Sequence, residues 1–228
     1  MKNIIFIAPP AAGKGTISSM ICNKYNIPHI STGDLLRNEI ASSTKIGLQI
    51  KESIARGEFV SNELITKLLR KRLINKDCKK GFILDGYPRN IAQAKCYDEL
   101  LKELNFEEGI VIFLDIDKEK ALTRIKSRMV CPKCGMSYNL SSKEFSPVRE
   151  GLCDGCSEKL TIRTDDTEET FQNRFDTYIE ETYPLIDYYS KKNNLVKIDV
   201  NNKNSDEIFE EVKKVIKWLL LKVNTNYH

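Results

Sequence analysis

Histidine is almost missing from this chain: of 228 residues only His29 and His228 carry an imidazole. A nucleophile–histidine–carboxylate triad and a histidine-rich metal site are therefore not expected. No apolar run approaches the roughly 20 residues that a membrane helix needs. The first such run, Ile4–Pro10, has the length of one buried strand and passes straight into a glycine loop, so a signal peptide is not expected. Charge of one sign is lacking too. The 36 basic and 32 acidic residues leave a net +4, too near balance to make nucleic acid or a membrane surface the main partner. The expectation is a cytoplasmic protein with neither nucleic acid nor membrane as its partner.

What is present is enough apolar material, 41% of residues, for a substantial core in one domain with insertions. Short strand-like runs alternate with helical periodicity, the pattern of an α/β chain with a parallel sheet. The candidate strands are Ile4–Ala8, Pro28–Ile30, Phe82–Leu84, Gly109–Asp115 and Leu195–Asp199. Leu64, Ile65, Leu68, Leu69 and Leu73 fall on one helical face behind Ser61, which predicts an N-cap. A last helix carries Ile208, Phe209, Val212, Val215, Ile216, Leu219 and Leu220, with Ser205, Asp206 and Glu207 opening it. Residues 224–228 read as a disordered tail.

One segment breaks the rhythm. From about Ser127 to Thr164 aliphatic residues are few, and four of the seven cysteines gather there as Cys131-Pro132-Lys133-Cys134 and Cys153-Asp154-Gly155-Cys156. Two CxxC knuckles at this separation predict a closed tetrahedral thiolate site for a structural Zn²⁺. A polar segment this short builds little core of its own, so a metal would supply much of its folding energy. Two disulfides are the other reading, which a cytoplasmic setting disfavours. Zinc ribbons also bind nucleic acid, but here Lys133, Lys143, Arg149 and Lys159 are offset by Glu144, Glu150, Asp154 and Glu158. Cys22, Cys78 and Cys96 are scattered and read as small hydrophobes.

The strand at Ile4–Ala8 runs into Pro9-Pro10-Ala11-Ala12-Gly13-Lys14-Gly15-Thr16 and then a helix. Strand, glycine loop and helix in that order are what a phosphate-binding loop requires: backbone N–H groups and a helix N-terminus face anionic oxygens, and Lys14 adds a mobile cation. A strand–helix connection made of small residues is the bland alternative, and it leaves Lys14 between two glycines unexplained. Ala8 and Ala11 stand where such loops often carry glycine. Alanine costs about 1 kcal/mol where a positive φ is needed. Downstream, Gly81-Phe82-Ile83-Leu84-Asp85 is an apolar strand ending in a carboxylate, suited to holding Mg²⁺ directly or through water.

Three further stretches accompany the loop: Ser31-Thr32-Gly33-Asp34-Leu35-Leu36-Arg37, Asp85-Gly86-Tyr87-Pro88-Arg89 followed by Gln93, and Arg163-Thr164-Asp165-Asp166. In this order and spacing, from Met1 to about Asn202, the chain resembles the adenylate kinase family of nucleoside monophosphate kinases. The resemblance implies reversible phosphoryl transfer, ATP and AMP giving two ADP with Mg²⁺, and thereby a part in adenine-nucleotide balance. A kinase with GTP as donor or another monophosphate as acceptor, or a catalytically impaired nucleotide-binding relative, are the alternatives. The fold implied is a P-loop α/β domain, a five-stranded parallel sheet flanked by helices. Its core would comprise residues 1–30, 61–126 and 165–228, with an AMP-binding segment at 31–60 and a zinc-stapled lid at 127–164. A monomer is expected.

The same resemblance assigns roles. Lys14, Arg128, Arg163 and Arg174 would surround the transferring phosphoryl group, with Asp85 at the magnesium. The donor would lie along Ala11, Ala12, Gly13, Lys14, Gly15 and Thr16, with Arg124 against its base and Arg128, Ser137, Tyr138 and Asn202 near by. Arg37 and Arg89 would clamp the acceptor α-phosphate, where planar guanidinium forks match the oxygens. Thr32 and Gln93 would select adenine. Glu58, Phe59, Val60, Gly86, Tyr87 and Pro88 would line the AMP pocket together with Arg163 and Arg174. Tyr87 stands where many relatives have phenylalanine, which is expected to place a hydroxyl beside the acceptor. The acceptor is itself a phosphate oxygen, so positioning and charge neutralisation carry the reaction and no general base is needed.

Overall fold

The computed structural model describes residues 3–42, 44–55, 60–162 and 166–225. Strands β1 (Ile4–Ile7), β2 (His29–Ser31), β3 (Ile83–Asp85) and β4 (Ile110–Asp115) are parallel. Next come β5 (Arg128–Val130) and β6 (Ser137–Asn139), a separate antiparallel ribbon, and then β7 (Leu195–Asp199), which returns to the main sheet beside β4. The main sheet has the order β2-β3-β1-β4-β7. All five strands expected from the sequence are present, with no bound displaced by more than one residue.

Helices cover both faces, which is why the strands are apolar on both sides rather than alternating. Ile4 and Phe6 point to one face. There they meet Ile17 and Ile21 of α1 (Lys14–Tyr25) together with buried residues of the later helices. Ile5 and Ile7 point to the other face, as the period of two requires.

Helices α2 (Thr32–Ala41) and α3 (Lys45–Ala55) form an arm between β2 and α4 (Asn62–Leu73). The Ser61 hydroxyl accepts from the Leu64 N–H at 3.3 Å, so the expected cap is in place, and Leu68, Leu69 and Leu73 are buried. Then follow α5 (Ile91–Glu103), α6 (Lys118–Lys126), α7 (Glu168–Thr177), α8 (Pro184–Lys191) and α9 (Ser205–Thr225). On α9, Ile208, Val212 and Ile216 are buried against the face shared with α1, and the Leu219 and Leu220 side chains lie outside the described residues. The helix runs through Asn224 to Thr225, so the expected tail is helical where it begins, and residues 226–228 lie outside the described residues.

The cysteine-bearing insertion packs on itself. Cys131, Tyr138, Cys153 and Leu160 make a small buried cluster, and a bridge between Val130 and Thr161 joins its two ends.

Candidate active site

The sheet grows outward from β1 in both directions, with β3 on one side and β4 on the other. In an open parallel sheet such a reversal leaves a crevice at the carboxyl ends of the strands, where ligands bind. The phosphate loop leaves β1 at this point, and Asp85 ends the neighbouring β3, paired with Phe6 and Ser31.

The loop bends through two left-handed residues before α1 starts. Gly13 has φ 90° and caps the helix with no side-chain hydrogen bond. An added Cβ there would meet only the Arg124 guanidinium at 4.0 Å, so the backbone angle rather than space asks for glycine. Ala11 has φ 62° and is one of the two alanines that stand where glycine is usual. Ala8 has no such angle and is buried at the end of the strand. Ala12 is buried, while Gly15 and Thr16 sit in the first turn of α1.

Lys14 Nζ lies 3.1 Å from Asp85 Oδ1, and His29 Nε2 lies 3.2 Å from Asp85 Oδ2. Burial pushes the Asp85 carboxyl up, but the Lys14 charge and the His29 hydrogen bond outweigh it and bring the pKa to about 2. The carboxylate is therefore ionised at neutral pH, as a cation ligand must be. No motif marked His29. It sits on β2, and the pairing of β2 with β3, which the sequence does not state, brings it to Asp85.

The acceptor-side residues gather around the turn after β3. Gly86 has φ 76°, and a Cβ there would lie 3.1 Å from the Thr32 hydroxyl. Thr32 is buried and donates to the Gly86 carbonyl at 3.0 Å. Arg89 is exposed by its surface area, yet protein atoms surround much of its guanidinium. Desolvation lowers its pKa, the Asp85 charge raises it and the Arg174 charge lowers it again. Its Nε donates to the Gly86 carbonyl at 3.0 Å. Arg37 is exposed and held by Asp34. Val60 is half-buried just ahead of α4.

The Tyr87 hydroxyl, expected beside the acceptor, is turned into the core. Tyr87 is 1% exposed, and its hydroxyl donates to the Gln93 carbonyl at 3.2 Å and meets the Thr66 hydroxyl at 3.2 Å. A phenol turned into a core needs partners, and the starts of α4 and α5 supply them. Pro88 follows through a cis peptide bond. Gln93 is buried, its Oε1 accepting from the Arg89 N–H at 2.8 Å and its Nε2 donating to Asn62 Oδ1 at 2.9 Å. Asn62 was not singled out by sequence reasoning. Asn90-x-x-Gln93 has the form of a capping box and could have signalled that the Gln93 amide is engaged with backbone.

On the donor side, Arg124 donates to the Val200 carbonyl at 3.0 Å and the Ala12 carbonyl at 3.4 Å, tying α6 to the phosphate loop. Arg128 makes a two-pronged pair with Asp166, whose side chain is wholly buried. Asn202 accepts from Lys120 Nζ at 2.7 Å, and Ser137 is exposed on β6. Arg174 is exposed on α7. Glu58, Phe59 and Arg163 lie outside the described residues.

The four insertion cysteines converge. Their sulfurs lie within 4.8 Å of one another, with Cys131–Cys156 at 3.4 Å, Cys134–Cys153 at 3.5 Å and Cys134–Cys156 at 3.7 Å. All four thiols are free, so the disulfide alternative does not hold. A tetrahedron with metal–sulfur bonds of about 2.3 Å has sulfur–sulfur edges of about 3.8 Å, so the cluster fits one ion. The Tyr138 hydroxyl lies 3.4 Å from Cys153 Sγ and accepts from the Asp154 N–H at 2.7 Å. That hydroxyl, against the opposing effect of burial, and then the Cys156 N–H lower the Cys153 thiol. Against backbone hydrogen bonds, those to neighbouring thiols raise Cys134 and Cys156.

A glycine loop at the switch point, a carboxylate ending the next strand and arginines around the same crevice define a P-loop protein built to handle nucleotide phosphates. Comparison with known proteins narrows this. The adenylate kinase family model matches residues 6–194. An adenylate kinase of Thermotoga neapolitana is 43% identical over 219 residues, covering 96% of this chain and 98% of that one. An adenylate kinase of Clostridium tetani is 42% identical over 214 residues, 94% and 98% of the two chains. One of Thermosipho africanus is 40% identical over 215 residues, 94% and 99%. The chain belongs to the adenylate kinase family.

Proposed function

We propose that this protein is a nucleoside monophosphate kinase that moves a phosphoryl group reversibly between ATP and AMP, giving two ADP. The observation that carries the reading is Lys14 facing Asp85 at 3.1 Å at the switch point of a sheet whose whole chain matches adenylate kinases. Residues 11–16 cradle the donor phosphates, and Lys14, Arg128, Arg163 and Arg174 neutralise the transferring group. Arg124, Ser137, Tyr138 and Asn202 flank the rest of the donor. Arg37 and Arg89 hold the acceptor phosphate. Thr32, Glu58, Phe59, Val60, Gly86, Tyr87, Pro88 and Gln93 form the acceptor pocket. Asp85 would hold Mg²⁺, directly or through water, and the ion would offset phosphate charge.

The segment 31–60 closes over AMP and the segment 127–164 over ATP, excluding water so that ATP is not merely hydrolysed. Cys131, Cys134, Cys153 and Cys156 hold a structural Zn²⁺ that braces the second of these. Among the described residues no helix is long and apolar enough to cross a membrane. The protein works in the cytoplasm as a monomer.

A coupled assay of ADP formation from Mg-ATP, offering AMP, GMP, CMP or UMP in turn, tests the reading. Rapid turnover with AMP alone is expected. Preference for another monophosphate would overturn the acceptor assignment. No turnover in folded, metal-loaded protein would overturn the enzyme reading.

A further inference from the structure

Gln93 is held at both ends of its amide. The Arg89 N–H donates to Oε1 at 2.8 Å, and Nε2 donates to Asn62 Oδ1 at 2.9 Å. Two further bonds keep these partners in place. The Asn90 side chain accepts from the Gln93 N–H at 3.0 Å, fixing the start of α5. The Tyr87 hydroxyl bridges Thr66 on α4 and the Gln93 carbonyl on α5, so Asn62 and Gln93 sit on helix starts held in register.

A primary amide has one oxygen with two lone pairs and one nitrogen with two hydrogens. With one of each used internally, Gln93 keeps one acceptor site and one donor hydrogen, in a fixed left-to-right order. Adenine offers an acceptor at N1 beside a donor at N6. Guanine offers a donor at N1 beside an acceptor at O6, the same edge with the order reversed. An amide free to turn over serves either base. A locked one serves only one, because turning it sets its N–H against the Arg89 N–H and forces the Asn62 amide to turn with it.

We propose that Asn62 is a positioning residue for acceptor specificity, holding the Gln93 amide in the one sense that suits adenine and not guanine. This rests on the adenylate kinase reading above. Arg89 contributes through its backbone, which no substitution removes, so Asn62 is the partner that sequence controls.

The test compares wild type, Asn62→Ala and Asn62→Asp for kcat and KM with AMP and with GMP at saturating Mg-ATP. An aspartate accepts from Nε2 and offers no donor, so it keeps the lock. The AMP-to-GMP ratio of kcat/KM is expected to fall about tenfold in Asn62→Ala, mainly through a higher KM for AMP, with the KM for Mg-ATP unchanged. Asn62→Asp is expected to keep the ratio at or above the wild-type value. An unchanged ratio in Asn62→Ala, or an equal fall in Asn62→Asp, would overturn the proposal, since a residue that merely packs at the helix start gives one of those results. A wild type that does not prefer AMP would instead overturn the adenylate kinase reading, and the proposal with it.

Discussion

Lys14 and Asp85 face each other at 3.1 Å across the ends of two adjacent strands. One belongs to the phosphate loop and the other ends β3, and neither is more than about a quarter exposed, at 26% and 15% of the side chain. A cation and an anion held this close in a low-dielectric crevice preorganise the charge that a triphosphate and its metal ion meet, with little rearrangement at the moment of reaction.

Replacing Lys14 with alanine removes a charge aimed at the transferring phosphoryl group. A fall in kcat of at least about 10³-fold is expected, with the secondary structure and cooperative unfolding retained. Steady-state kinetics and circular dichroism check this together. Near-normal turnover in a folded Lys14→Ala protein would remove the phosphate-loop assignment.

The depressed Asp85 pKa makes a prediction in acid. A carboxyl whose pKa is lower in the fold, at about 2, than in the unfolded chain favours the folded state above the unfolded value, and that contribution is lost as pH falls toward the folded one. The gap in unfolding free energy between wild type and Asp85→Asn is therefore expected to stay flat from neutral pH down to about 4. It should then shrink by about 2 kcal/mol between about pH 4 and pH 2. Urea titrations at several pH values read it. A gap that does not change across that window would mean that Lys14 and His29 do not hold the carboxylate in solution.

Ala11 has a φ of 62°, a conformation that disfavours alanine by about 1 kcal/mol relative to glycine. Ala11→Gly is expected to raise the unfolding free energy by about that amount and Tm by about 2–4 °C. The loop path already exists with alanine, so KM for ATP should move only a fewfold. Calorimetry with kinetics tests both parts. A gain of orders of magnitude in kcat would show that the alanine cripples the loop.

The strands were legible because β1, β3 and β4 are short apolar runs with both faces buried. Ser61 announced α4 for the same local reason, since a cap and a stripe of leucines are written within one turn or two. What stayed hidden depends on which strands and helices lie side by side. His29 reaches Asp85 only because β2 pairs with β3, and Asn62 reaches Gln93 only because α4 and α5 start together. Tyr87 shows the same limit in reverse. Its position in a motif at the site suggested a hydroxyl facing the acceptor, whereas core packing turned that hydroxyl toward Thr66.

The Tyr138 hydroxyl, 3.4 Å from Cys153 Sγ, belongs to the surroundings of the cysteine cluster, and such partners hold a metal ligand in orientation. Wild-type protein is expected to contain one zinc per chain by elemental analysis. Cys153→Ser should lose most of that zinc and several degrees of Tm, because among the described residues the insertion has a small core, Cys131, Tyr138, Cys153 and Leu160, to fall back on. Tyr138→Phe keeps the ring in that core and removes only the hydroxyl. It should retain zinc as isolated, yet give it up to a chelator about tenfold faster or more. Equal release rates would mean that the hydroxyl packs beside the cluster without steadying it. A wild type free of metal would mean that the four thiols brace the insertion by contact alone.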